Sequence, residues 1–156
     1  MEKVLFVCTG NTCRSPMAEG IFNKLAKEYN IDAVAESAGL ATEDNLPVSE
    51  NAVIACEEIG IDISNHRARK FSDCNIDDYV SFCTMSFQHA EALINCGVPR
   101  NKIKVMTGAD HGVPDPYGFG VGIYRSSRDI IKRSIEKYFQ ELKKQQAENN
   151  EDSQNE

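Results

Sequence analysis

One segment of this chain, Cys8-Thr9-Gly10-Asn11-Thr12-Cys13-Arg14-Ser15, brings together a thiol, an arginine and a hydroxyl. A loop of this kind turns successive backbone N–H groups inward and makes a nest for an anion. The helix start at its end adds about half a positive charge. Arg14 supplies a planar fork that fits two oxygens of a phosphate. The same positive field acts on Cys8. A free thiol titrates at about 8.5, and cations and helix N-termini lower that value. The sequence therefore predicts a Cys8 thiolate at neutral pH, with Ser15 donating a hydrogen bond to the sulfur. A thiolate in a phosphate-shaped nest points to phosphoryl transfer through a cysteinyl-phosphate. Gly10 can adopt a positive φ, and Asn11 tolerates one and can bond the loop to itself.

These residues need a rigid frame. Val4-Leu5-Phe6-Val7 is a continuous apolar run, as expected of a strand buried on both faces. Ser15-Pro16 reads as a helix start, with serine as N-cap and proline at the first helical position. Ala18, Ile21, Phe22 and Leu25 then recur at helical spacing. A weaker strand is expected over 33–38, and a second helix over 48–59 closed by Gly60. A third apolar run follows over 79–85, then a helix over 87–95 and a short strand over 103–106. Residues 107–122 are rich in Gly and Pro and read as a long functional loop. Ile131, Ile135, Tyr138, Phe139 and Leu142 share one helical face. The polar segment over 145–156 is expected to be frayed or disordered.

Strands alternating with helices predict a parallel sheet covered on both faces, with its site at the carboxyl ends of the strands. The 156 residues make one domain, taken here as 1–144 plus the tail. The net charge of −7 disfavours nucleic acid and anionic membrane as partners. No signal peptide or long apolar span is recognised, so the six cysteines are read as free thiols in a cytoplasmic protein. His66, His89 and His111 are scattered, and no cysteine pair has zinc-ribbon spacing, so no metal is expected.

The chain resembles the low-molecular-weight protein tyrosine phosphatases over nearly its whole ordered length. The likeness rests on Val7 through Glu19, on Ser37-Ala38-Gly39, on Ile63 through Arg69, and on Asp115-Pro116-Tyr117-Gly118. It implies an α/β fold in three α/β/α layers, with a four-stranded parallel sheet and no metal or cofactor. It implies that Asp115 protonates the leaving group and then activates water, a role the long Gly/Pro loop independently accommodates. It also implies that Cys8, Arg14 and Asp115 are catalytic, and that Thr9, Gly10, Asn11, Thr12, Cys13 and Ser15 bind phosphate or support the loop. Ser37 would bond Asn11, Tyr117 would line the pocket with Thr12, and His66 would be structural. The partner would be a phosphorylated protein, with the phosphatase a monomer or weak dimer.

Thr12 bears on the substrate. Many tyrosine phosphatases of this family carry an isoleucine-like residue there, whereas its bacterial protein arginine phosphatases carry threonine in the same string. A hydroxyl can bond a guanidinium nitrogen or a water, and an apolar side chain cannot. Gly118 also removes bulk that would grip a flat ring, although Tyr117 offers a stacking surface. The resemblance therefore favours phosphoarginine modestly over phosphotyrosine. Cys13 is either a small packing residue or a redox partner that captures an oxidised Cys8 as a disulfide. A thioredoxin-coupled arsenate reductase would need two relay cysteines in a mobile loop, and the setting of Cys74, Cys83 and Cys96 does not match one. A catalytically dead phosphate-binding module is disfavoured because Cys8, Arg14, Ser15 and Asp115 are all present.

Overall fold

A computed structural model describes residues 1–106 and 112–155. Four strands, β1 (Glu2–Cys8), β2 (Ala33–Gly39), β3 (Ser81–Thr84) and β4 (Ile103–Val105), form one sheet in the order β2-β1-β3-β4. All three pairings are parallel. The helices are α1 (Arg14–Glu28), α2 (Glu50–Glu57), α3 (Phe87–Asn95) and α4 (Val121–Gln154). The α/β architecture is the one expected from the alternation of elements.

Because β1 is interior, both its faces are buried, and that is why it reads as unbroken apolar sequence. Val4, Phe6 and Cys8 point into a cluster with α1, α2 and α4, which contribute Phe22, Ala52 and Phe139. Leu5 and Val7 point the other way, against Phe82, Leu93 of α3, and Phe71. Phe22 stacks edge-on against both Phe6 and Phe139. Strand order reverses between β1 and β3, so the topological crevice opens at the carboxyl ends of these two strands. Cys8 is the last residue of β1 and lies in register with Gly39.

Several boundaries differ from expectation. The first helix starts at Arg14, with Cys13 as N-cap, so Pro16 is its third residue and not its first. The Ser15 hydroxyl is therefore not a cap, and its partner is the Cys8 sulfur. Helix α2 is shorter than expected and ends before Gly60, which takes φ of 79°. Short 3-10 turns at Phe71–Asp73, Ile76–Asp78 and Arg100–Lys102 carry no periodicity long enough to read from sequence. The tail is corrected most. Instead of a disordered segment from 145, α4 continues to Gln154 as a solvated helical extension. Gln145, Gln146, Ala147 and Glu148 are good helix formers, so a helix already nucleated on the core propagates through them. The long loop predicted over 107–122 lies partly outside the described residues; of its described part, 112–120 is irregular and 121–122 already belong to α4.

Candidate active site

The sharp turn after β1 is made at Asn11, whose φ is 56°. Gly10, the other residue suited to that conformation, does not adopt it. Asparagine tolerates the left-handed region because its short polar side chain can bond locally. Here it does so fully. Asn11 is 0% exposed; its Nδ2 donates to Ser15 Oγ and Ser37 Oγ, each at 2.9 Å, and its Oδ1 accepts from the Arg69 backbone N–H at 2.9 Å. Ser37 Oγ in turn donates to Glu19 Oε1 at 3.1 Å. His66 Nε2 lies 3.2 Å from the Asn11 carbonyl oxygen, and its Nδ1 faces Glu19 Oε2 at 3.5 Å. His66 thus supports the loop backbone and stands behind it.

Cys8 is buried at the floor. Its sulfur is 2.8 Å from Ser15 Oγ and accepts the Asn11 backbone N–H at 3.3 Å. Ser15 Oγ accepts from Asn11 Nδ2, and among the described residues the Cys8 sulfur is the one acceptor within reach of the Ser15 hydrogen. The first N–H groups of α1 have no side-chain cap and open toward the same point.

Arg14 is buried and reaches the segment leading into α4. Its Nη1 donates to the Val113 carbonyl at 2.9 Å, and its Nη2 lies 3.7 Å from Asp115 Oδ2. The Asp115 Oδ1 accepts the Tyr117 backbone N–H at 3.1 Å, which holds the carboxylate over the loop. The fold thus brings Cys8, Arg14 and Asp115 to one cleft of about 620 Å³, lined also by Thr9, Gly10, Asn11, Thr12, Cys13, Leu46 and Tyr117. Tyr117 is 75% exposed, standing as a wall at the mouth. Thr12 Oγ1 lies 3.7 Å from Cys13 Sγ, whose other neighbour is the Tyr124 hydroxyl at 3.3 Å. Burial and the Cys13 contact push the Tyr124 phenol up to about 12.

Two contributors were not read from sequence. A Cβ on Gly39 would sit 2.7 Å from the Thr9 carbonyl oxygen and 3.1 Å from Asn11 Cβ, so only glycine lets the loop lie against β2. The other is His89, whose Nε2 is 2.8 Å from Thr9 Oγ1. A lone histidine in a helical stretch carries no spacing signal that could have found it. His111 lies outside the described residues. Among the described residues no group of three or more His, Cys, Asp or Glu could hold a metal ion, and no helix is long and apolar enough to cross a membrane.

Residues 3–148 match the family described as low molecular weight phosphotyrosine protein phosphatase. The chain belongs to this family. As a member it is a cysteine-dependent protein phosphatase. A protein-arginine-phosphatase of Bacillus subtilis (strain 168) is 32% identical over 146 residues, covering 90% of this chain and 97% of that protein. An arsenate reductase of Staphylococcus aureus (strain Newman) is 36% identical over 139 residues, covering 88% of this chain and 95% of that protein. The crystal structure of a low molecular weight protein tyrosine phosphatase from T. tengcongensis aligns with a TM-score of 0.85 at 37% identity, covering 90% of this chain and 99% of that one. In this low-molecular-weight phosphatase Cys83 and Cys96 are poorly placed for a relay. Cys83 lies within β3, where burial pushes its thiol up to about 11, and Cys96 caps the end of α3 remote from the loop.

Proposed function

We propose that this phosphatase hydrolyses phosphorylated protein side chains with Cys8 as nucleophile, and that it prefers phosphoarginine to phosphotyrosine. The observation that carries the chemistry is the pairing of the Ser15 hydroxyl with the Cys8 sulfur at 2.8 Å, facing the Arg14–Asp115 pair across one cleft. The Cys8 thiolate attacks phosphorus while Arg14 and the loop N–H groups hold the equatorial oxygens. The bond from phosphorus to the leaving oxygen or nitrogen breaks, and the Asp115 carboxylic acid gives that atom its proton. The resulting Asp115 carboxylate takes a proton from water, the hydroxide attacks phosphorus, and the S–P bond breaks. The electron pair returns to sulfur, where Ser15 and the Asn11 N–H stabilise it.

Three features support the arginine preference. Thr12 places a hydroxyl in the cleft beside the loop, where an apolar residue could not bond a guanidinium. Gly118, next in sequence to the cleft-lining Tyr117, carries no side chain. A relative matched over most of both chains is a protein-arginine-phosphatase. Tyr117 favours the second reading, phosphotyrosine, because its exposed ring can stack on a phenyl group. Six free cysteines suit a reducing compartment such as the cytoplasm.

The deciding experiment compares kcat/KM on phosphoarginine and phosphotyrosine peptides for wild type and Thr12→Ile. The expected result is a wild-type preference for phosphoarginine that Thr12→Ile reverses or erases. A preference untouched by the substitution removes Thr12 as the determinant, and a wild-type preference for phosphotyrosine installs the second reading.

A further inference from the structure

His89 is a buried titratable group to which the cysteinyl-phosphate chemistry assigns no task. It lies on the first turn of α3, in the loop-and-helix segment that follows β3. Its Nε2 is 2.8 Å from Thr9 Oγ1 and its Nδ1 is 3.0 Å from Ser86 Oγ. This bond joins the segment after β1 to the segment after β3, directly across the crevice where strand order reverses. Burial, reinforced by Arg14 and opposed by Asp115, pushes the imidazole down to about 4. A neutral ring has one N–H, and its second nitrogen must accept.

Ser86 assigns the tautomer. As N-cap of α3, its Oγ already accepts the His89 backbone N–H at 3.2 Å. Among the described residues, His89 Nδ1 is the one acceptor within reach of the Ser86 hydroxyl hydrogen. The ring hydrogen consequently sits on Nε2 and is donated to Thr9 Oγ1. The Thr9 hydroxyl hydrogen is left over. Thr9 is exposed and lines the cleft, one residue from the buried Cys8. The chain Ser86 to His89 to Thr9 therefore ends in a hydrogen-bond donor at the rim of the nest.

We propose that His89 is a positioning residue for the substrate peptide, holding the Thr9 hydroxyl as a donor to a main-chain carbonyl beside the phosphorylated residue. The acceptor belongs outside the phosphoryl group, because Arg14 and the loop N–H groups serve that group. A guanidinium offers only donors, so it cannot accept the Thr9 hydroxyl hydrogen. A main-chain carbonyl accompanies every phosphorylated side chain in a protein and is missing from a small aryl phosphate. The inference rests on the protein-phosphatase reading.

The test compares a phosphoarginine peptide with p-nitrophenyl phosphate for wild type, His89→Leu and His89→Gln. A glutamine amide places a donor nitrogen near the position of Nε2, and leucine places none. Loss of one neutral hydrogen bond predicts that His89→Leu raises the peptide KM about 5- to 10-fold with kcat within about twofold. The small ester should keep its KM, and His89→Gln should restore most of the peptide KM. Equal loss on both substrates, or glutamine performing no better than leucine, overturns the proposal and reduces His89 to support of the loop. If His89→Leu fails to fold, nitrogen NMR of the wild-type ring decides: a proton on Nε2 is expected, and one on Nδ1 overturns the assignment. A wild type that hydrolyses p-nitrophenyl phosphate but no phosphopeptide defeats the protein-phosphatase reading itself, an outcome distinct from a peptide turnover insensitive to His89.

Discussion

Asn11 Nδ2 and Ser15 Oγ lie 2.9 Å apart, and beside this donor the Cys8 sulfur is the one acceptor within reach of the Ser15 hydrogen among the described residues. With its oxygen occupied as an acceptor, Ser15 has its hydrogen free for Cys8 Sγ. A hydrogen bond to a charged group is worth about 1.5–3 kcal/mol, or roughly 10- to 100-fold in rate. Ser15→Ala should therefore slow the breakdown of the cysteinyl-phosphate by about that factor, because sulfur leaves in that step. Rapid-mixing kinetics on p-nitrophenyl phosphate should then show a burst of p-nitrophenol. A steady rate without a burst would mean that Ser15 acts elsewhere.

Gly39 bears on the same loop from behind. Alanine there drives a methyl to within 2.7 Å of the Thr9 carbonyl, and backbone cannot yield as a flexible side chain can. Overpacking of this kind costs about 1–3 kcal/mol. Gly39→Ala should lower the midpoint of denaturant unfolding accordingly and reduce kcat, since the displaced segment carries Asn11. An unchanged midpoint would show that the loop and β2 separate freely.

Asp115 stands 3.7 Å from Arg14 and 55% exposed at its side chain, so it can meet both a leaving group and water. Removing a general acid costs about 10²- to 10⁴-fold. Asp115→Ala should show that loss on phenyl phosphates with poor leaving groups and a smaller loss on p-nitrophenyl phosphate. The slope of log kcat against leaving-group pKa should steepen. Equal slowing across the series would exclude Asp115 as the proton donor.

His89 makes stability depend on pH. Its folded pKa of about 4 lies below the ordinary histidine value of 6.5, through burial and then the Arg14 charge. Between those two values the unfolded chain holds a proton that the folded chain does not, so stability rises with pH in that window. Acidification from 6.5 to 4 should lower the unfolding midpoint, and the full penalty is reached below about 4. His89→Gln should flatten the dependence in this window. A variant with the same acid sensitivity as wild type would place the titration on another group.

The segment from Cys8 to Ser15 was legible in the sequence because its chemistry is local. A thiol, a turn-forming asparagine, an arginine and a helix start lie within one stretch, where backbone geometry alone makes an anion nest. The strands and most helices were legible for a similar reason: β1 is interior and unbroken in its apolar run, and α3 begins and ends at residues 87 and 95 as its periodicity predicts. Helix starts were read less well. Ser15-Pro16 looks like a cap, but Ser15 has a stronger claim from the sulfur it faces once β1 and α1 are placed. The end of α4 escaped the reading because a polar stretch says nothing about the helix already nucleated before it.

Only the tertiary structure decided the contacts made across the chain. Ser37 meets Asn11 over 26 residues, Val113 holds Arg14 over 99, and His89 meets Thr9 over 80. The need for glycine at position 39 is likewise invisible until β2 pairs with β1 and presses it against the Thr9 carbonyl. The sequence by itself picked out the proposed nucleophile and the loop around it, since those lie in neighbouring residues. Which hydrogen points at the sulfur, and which donor stands at the rim, depend on strand order and register. Those arise from packing the whole chain around one sheet, and no short stretch of residues encodes them.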